Sequence, residues 1–425
     1  MRKVVGLAVL AVTAALGCHA AESDALAISQ NIQAQHLPYG TILDPRFASS
    51  DPASSDYSVI VSYTRCRDSA IWTGHYLAAE SFRYAVTGAS DALTNVQGAL
   101  VGIANLRQVT GTDVLARCLF PVASPYASDL IAENTDLGIY QGQVRGQSYD
   151  WVGNTSRDQY SGVFFGLGVA YDMVSDCPSA QASDCAHIRN GVRREVTRLL
   201  TNLLANNWAV VMPNSTISTV FWGHPEQILS FLQVGRHVNP DRFALLYQSY
   251  RAALAATTPL PIAFDSYDDH NHYFKFNLNT INLYNLIRLE ESSSVFLTNY
   301  MNAYAILWNT TQTHENAHFN MVNRALQGPN DIRDIETAQW LDQWLQRPRR
   351  DYWVDLTAPP YQYPACGQPD RACVIIPVVQ RPNTDFLWQR SPRLLYGGSS
   401  GTIETAGIDY ILPYWMARYY GVAVD

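Results

Sequence analysis

Apolar residues recur at helical spacing through most of this chain. In Asp68–Gly88 (DSAIWTGHYLAAESFRYAVTG), Ile71, Tyr76 or Leu77, Ala79 and Phe82 to Ala85 form one stripe, and Gly88 supplies a stop. Asp91–Gly111 repeats the pattern and again ends in glycine, so the two stretches predict a helical hairpin. Ser156–Val174 predicts another helix, with Ser156 as N-cap and Gly162, Gly166 and Gly168 as points of close helix packing. The same spacing predicts helices over Ala25–Gln35, Ser183–Asn207, Trp222–Val238, Pro240–Thr257, Tyr273–Glu291, Ser294–Thr311, Glu315–Leu326, Ile332–Gln346 and Thr405–Tyr420. Thr112–Thr155 reads as a long loop. Residues 347–404, rich in Pro, Gly, Tyr and Trp, read as largely irregular, with a short strand in the run ACVIIPVVQR. About a dozen helices with few strands predict an all-α fold. A closed (α/α)6-type toroid of helical hairpins over residues 21–425 is the natural form, since an open stack needs polar end caps that the sequence lacks.

The N-terminus changes the picture before composition does. Positive charge at Met1-Arg2-Lys3 precedes an apolar run, Val4–Leu16, too short for a permanent span. Residues 1–20 therefore predict a signal peptide. Ala15-Leu16-Gly17-Cys18 is similar to a lipobox, with Cys18 as the lipidated residue, and cleavage after Ala20 is the alternative. The chain is expected to be exported, either as a periplasmic or outer-membrane lipoprotein or as a secreted protein, with membrane contact only through that anchor. Six other cysteines fit an oxidising compartment. Short spacing pairs Cys177 with Cys185 and Cys366 with Cys373, which leaves Cys66 for Cys118. A net charge of −8 with no basic block argues against a nucleic-acid partner. The 25 Tyr and 10 Trp suit sugar faces as well as a core.

One stretch concentrates chemistry. Phe264–Thr280 (FDSYDDHNHYFKFNLNT) carries Asp265, Asp268, Asp269, His270, His272, Tyr273, Lys275 and Asn277 just before an apolar helix. Lys275 is one of only two lysines, the other being Lys3. Three further clusters precede predicted helices: Asp68 with Trp72 and His75; Tyr149, Asp150 and Trp151 ahead of Arg157, Asp158 and Tyr160; and His224 with Glu226.

Trp72–Gly88 (WTGHYLAAESFRYAVTG) resembles the first inner helix of exported bacterial toroid enzymes that degrade polysaccharides, uronate lyases and related glycoside hydrolases above all. Ser156–Val174 resembles a second such helix. The resemblance implies a polysaccharide or oligosaccharide substrate and a site at the N-terminal ends of inner helices. For β-elimination of an acidic, uronic acid-containing polysaccharide, a donor must neutralise the carboxylate, a base must take the α-proton and an acid must protonate the leaving oxygen. Arg157, Lys275 or Asn277 fit the first role, His270 or His272 the second, and Tyr273 or Tyr160 the third. Hydrolysis would use two carboxylates, Asp158 and Asp269, with Glu226 and Asp68 behind them. Trp72, Trp151, Trp222 and His224 are the expected substrate-binding residues.

A competing motif is His314-Glu315-Asn316-Ala317-His318, which matches H-E-x-x-H. On a helix its histidines share a face and would hold a divalent metal, Zn or Ca, with Glu336, Asp331 or Asp334 as third ligand and Glu315 as base. That arrangement would make a zinc-dependent hydrolase or peptidase. A sugar-binding lipoprotein without catalysis is the remaining class.

Overall fold

The computed structural model describes residues 20–267, 273–383 and 386–424. In chain order the helices are α1 (Glu22–Asn31), α2 (Ser69–Thr87), α3 (Ser90–Gln108), α4 (Ala127–Glu133), α5 (Arg157–Met173), α6 (Ala182–Ala205), α7 (Pro225–Val238), α8 (Pro240–Leu254), α9 (Pro259–Asp265), α10 (Phe274–Arg288), α11 (Leu297–Thr311), α12 (Ala317–Gln327), α13 (Asp331–Leu345) and α14 (Ile408–Tyr419).

Six of these pack in a closed ring. α2 lies against α5, α5 against α7, α7 against α10, α10 against α12, α12 against α14, and α14 returns to α2. The remaining long helices pack outside: α3 on α2, α6 on α5 and α7, α8 on α7, α11 on α10, α13 on α12 and α14, and α1 on α14. Sequence decides which layer each helix joins. α2 is buried almost throughout, as an inner helix must be, and its charged Glu80 and Arg83 are buried as a pair 3.0 Å apart. α6 buries one stripe (Ile188, Val192, Val196, Leu199 and Leu203) and leaves its other face polar. The tightest contact in the ring depends on glycine. A Cβ at Gly74 would stand 2.1 Å from the Gly162 carbonyl oxygen, and one at Gly166 would stand 2.1 Å from that of Gly74. α2 and α5 thus touch backbone to backbone, and any side chain at these positions would force them apart.

The all-α expectation is corrected. Helix takes 55% of the chain, but 13% is strand, and the fold is mixed. The strands are β1 (Asp44–Phe47), β2 (Ile60–Thr64), β3 (Cys118–Pro121), β4 (Ile139–Val144), β5 (Gln147–Val152), β6 (Ala209–Val211), β7 (Ile217–Val220), β8 (Arg350–Asp355), β9 (Ala365–Cys366), β10 (Gln368–Ala372) and β11 (Tyr396–Glu404). They form antiparallel sheets in the orders β2-β1-β11-β8, β3-β5-β4, β6-β7 and β10-β9. Their common cause is that long connections must satisfy their own backbone groups, and short hairpins do so. The stretch read as a loop, Thr112–Thr155, holds β3, β4 and β5. Its β4–β5 turn is Arg145-Gly146, both at positive φ (52° and 82°). In the run ACVIIPVVQR only Ala372 is strand, and Val378–Gln380 form a 3₁₀ turn instead.

Cys66 is bonded to Cys118 and Cys177 to Cys185. The third expected disulfide is corrected: Cys366 and Cys373 are unbonded thiols on the β9–β10 hairpin, within hydrogen-bonding reach of each other. Among the described residues no helix is long and apolar enough to cross a membrane. Cys18 and the rest of the expected signal peptide up to residue 19 lie outside the described residues.

Candidate active site

Three inner helices begin at one place. The first turns of α5, α7 and α10 converge on a cleft of about 250 Å³. Pro225 starts α7 in its pre-set conformation, and Ser156 precedes α5 in an extended one. Helix N-termini carry partial positive charge and unpaired N–H groups, so their convergence favours an anion.

The cleft collects charge from each element around it. α5 contributes Arg157 and Asp158, α7 is preceded by His224, α10 contributes Lys275, and the end of α9 contributes Asp265. The Arg157 guanidinium is half-buried and donates to the Val220 carbonyl at 3.2 Å. Asp158 Oδ1 accepts from the Ser156 hydroxyl and from the Gln159 N–H. Lys275 Nζ lies 2.9 Å from Asp265 Oδ1, and Asn279 donates to Asp265 Oδ2 at 3.2 Å. His224 Nδ1 stands 3.4 Å from Glu226 Oε1. Glu226 is fully buried in the first turn of α7. Burial pushes its carboxyl above the usual range, and the neighbouring His224 only partly offsets this. Beneath the cleft, Gln159 ties two inner helices together: its Oε1 accepts from the Ile71 N–H, and its Nε2 donates to Asp68.

Beside the cleft lies a second depression of about 210 Å³, lined by Trp222, Pro225, Ile228, Leu260 and Pro261. Trp222 is 44% exposed, and its Nε1 donates to the Asn207 carbonyl at 2.9 Å, which fixes the indole edge and leaves ring surface open.

The structure therefore brings Arg157, Asp158, His224 and Lys275 together and places Trp222 next to them. Other nominated residues go elsewhere. Trp72 and Trp151 are buried in the core, the latter stacked on Tyr140. Tyr160 is corrected as an acid: it is fully buried, its hydroxyl accepts from the Leu115 N–H, and burial pushes its pKa up. Tyr273 is buried against Phe276 and His314. Asn277 faces the middle of the ring, where its amide meets His75 Nε2 at 3.2 Å. Asp269, His270 and His272 lie outside the described residues.

The metal reading is corrected as well. α12 starts at Ala317 because the Asn316 side chain caps it, accepting from the N–H groups of His318 and Phe319. His314 thus precedes the helix, and Glu315 sits at a φ of 50° with its carboxylate towards Arg381. The two histidines cannot share a helical face. Glu336 is paired with Arg333 at 2.9 Å. Among the described residues no group of three His, Cys, Asp or Glu could hold a metal ion.

His318 instead enters the ring's centre. Its ring packs at a tilt against Trp388 with centroids 4.9 Å apart, and Trp388 stacks on His75 at 5.0 Å. Phe386 packs on Trp72 at 4.5 Å. His75 Nδ1 donates to the Ile71 carbonyl, so Nε2 accepts from Asn277. Burial pushes His75 down to about 4 and His318 well below its ordinary value.

Sequence reasoning missed Ser156, Thr219, Gln227 and Asn279 as cleft residues. Asp265 stands in the dense stretch, where the sequence alone assigns it no role. Asp265 was detectable as an acid close in sequence to Lys275, one of only two lysines, whereas Thr219 became visible only with the β6–β7 hairpin. No known protein family, curated protein or solved structure matches the chain.

Proposed function

We propose that this protein cleaves an acidic, uronic acid-containing polysaccharide by β-elimination in the cleft at the heads of α5, α7 and α10. The observation that carries this reading is the gathering of two cations, Arg157 and Lys275, with one imidazole, His224, on a floor that includes Phe274 and Leu278. Arg157 pairs with the uronate carboxylate and so acidifies the α-proton. Asp158, with Oδ1 tied by Ser156 and its own helix, takes that proton. His224 protonates the leaving oxygen. Lys275, held by Asp265, turns its remaining N–H donors to where the substrate's next carboxylate would lie. Trp222 supports a neighbouring sugar ring. The two disulfides suit the oxidising compartment expected of an exported chain.

Hydrolysis is the second reading, favoured by the raised Glu226 carboxyl beside the carboxylates of Asp158 and Asp265. Purified mature protein, incubated with alginate, glucuronan, pectate and hyaluronan, separates the two. Elimination gives new reducing ends together with ultraviolet absorbance from the conjugated double bond. Reducing ends without absorbance would replace elimination by hydrolysis. Neither signal on any polymer, with binding retained, would leave a carbohydrate-binding protein and contradict cleavage.

A further inference from the structure

Among the described residues around the cleft, Glu226 is the carboxyl whose surroundings do not match an ordinary carboxylate. Its side chain has no solvent exposure, and neither oxygen makes a hydrogen bond of normal geometry. A carboxylate ionised in such a place forgoes its hydration without replacement, which costs several kcal/mol or more. The groups around it do not cancel that cost. Asp265, on α9, adds like charge; Lys275, on α10, is committed to Asp265; and Arg157, on α5, donates to Val220. What Glu226 does have is His224 Nδ1, 3.4 Å away, on a ring that is a quarter exposed and lines the cleft. Pro225 between them begins α7, so the turn that presents His224 to the cleft also buries Glu226 behind it.

We infer that Glu226 and His224 form a proton-holding pair, in which a neutral Glu226 carboxylic acid donates to His224 Nδ1 and His224 presents Nε2–H to the cleft. In the bond-breaking step, the Nε2 proton passes to the leaving oxygen while the Glu226 proton moves to Nδ1. The imidazole stays neutral and Glu226 becomes a carboxylate. A water then relays the α-proton from Asp158 to Nε2, and Nδ1 gives its own back to Glu226, which restores all three groups to their starting state. Glu226 is thus a positioning and proton-supplying residue acting through His224. This role rests on the cleft reading above; the protonation of Glu226 does not. Its raised affinity for a proton has the same cause, burial.

Infrared spectroscopy of the full chain tests the pair without substrate. At neutral pH, the difference between wild type and E226Q should show the carbonyl stretch of a protonated carboxyl, lost in the variant. In H224F the band should persist but move to higher frequency, because the acceptor is gone. A carboxylate signature in that difference would overturn the proposal. On a polymer that the wild type cuts, E226Q should lower kcat by about 10- to 100-fold, leave KM within about twofold, and remove the alkaline limb of the kcat profile. Wild-type turnover in E226Q would overturn the relay. If no polymer is cut, the relay falls with the cleft reading, while a carboxyl band lost in E226Q still supports the proton pair.

Discussion

In the centre of the ring, His75 and His318 lie against Trp388 with no exposure to solvent. At its rim, His224 stands a quarter exposed between Arg157 and Lys275. Both regions hold an imidazole carried by an inner helix or by the turn that leads into one. The central histidines are covered by Trp388, and Phe386, also from the C-terminal segment, backs it together with Trp72. Burial keeps His75 neutral down to about pH 4, so it packs and positions Asn277 but exchanges no proton near neutrality. The rim keeps its water access, its cations and its carboxyl groups. An imidazole becomes chemistry or core according to what covers it, and here a two-residue plug decides.

Removing the plug is the most severe way to test that contrast. Trp388→Ala should cost about 3–5 kcal/mol of stability, as expected for a fully buried tryptophan, measured by urea unfolding. At a temperature where the variant remains folded, uronate binding at the rim should stay within about twofold of wild type. Loss of binding in folded protein would move the site to the ring's centre.

Acid should also separate the two regions. His75 has a folded-state pKa of about 4, below the ordinary value of 6.5. Above the ordinary value the neutral ring costs nothing. As pH falls below it, the unfolded chain gains a proton that the folded chain refuses, and stability is lost until the folded pKa is reached. The loss should be about 3 kcal/mol for His75, with His318 adding in the same direction. Unfolding free energies across that pH range should therefore slope downward towards acid, and His75→Gln should flatten the slope. An unchanged slope in the variant would show that the centre is not the acid-sensitive region.

Much of this was legible in the chain. The helices were readable because their apolar stripes run for many turns, and the glycines of α5 were readable as contact points because only a bare backbone allows α2 so near. The rim was readable in part, since Arg157, His224 and Lys275 each stand at the start of a strongly periodic segment, where the toroid resemblance directs attention. Two kinds of feature escaped. Strands of three to six residues, such as β6 and β4, are too short to show a period, although Arg145-Gly146 between β4 and β5 was a usable turn signal. The fate of Trp72, Asn277 and His318 could not be read at all. Their side chains are polar enough for a site, and they become core only because a segment some 70 residues beyond His318 folds back over them. The H-E-x-x-H match failed for a more local reason: Asn316 inside the motif is a stronger helix cap than Glu315 is a helix residue, so the helix starts three residues past His314.

The claim that the rim, and not the centre, is the functional site is tested most directly by calorimetric binding of a uronate oligosaccharide to Arg157→Ala, compared with wild type. A charge-assisted hydrogen bond to the substrate carboxylate is worth about 1.5–3 kcal/mol, so affinity should fall by about ten- to a hundredfold with no loss of fold stability beyond about 1 kcal/mol. Wild-type affinity in Arg157→Ala, together with lost binding in folded Trp388→Ala, would contradict the account and place the ligand in the ring's centre.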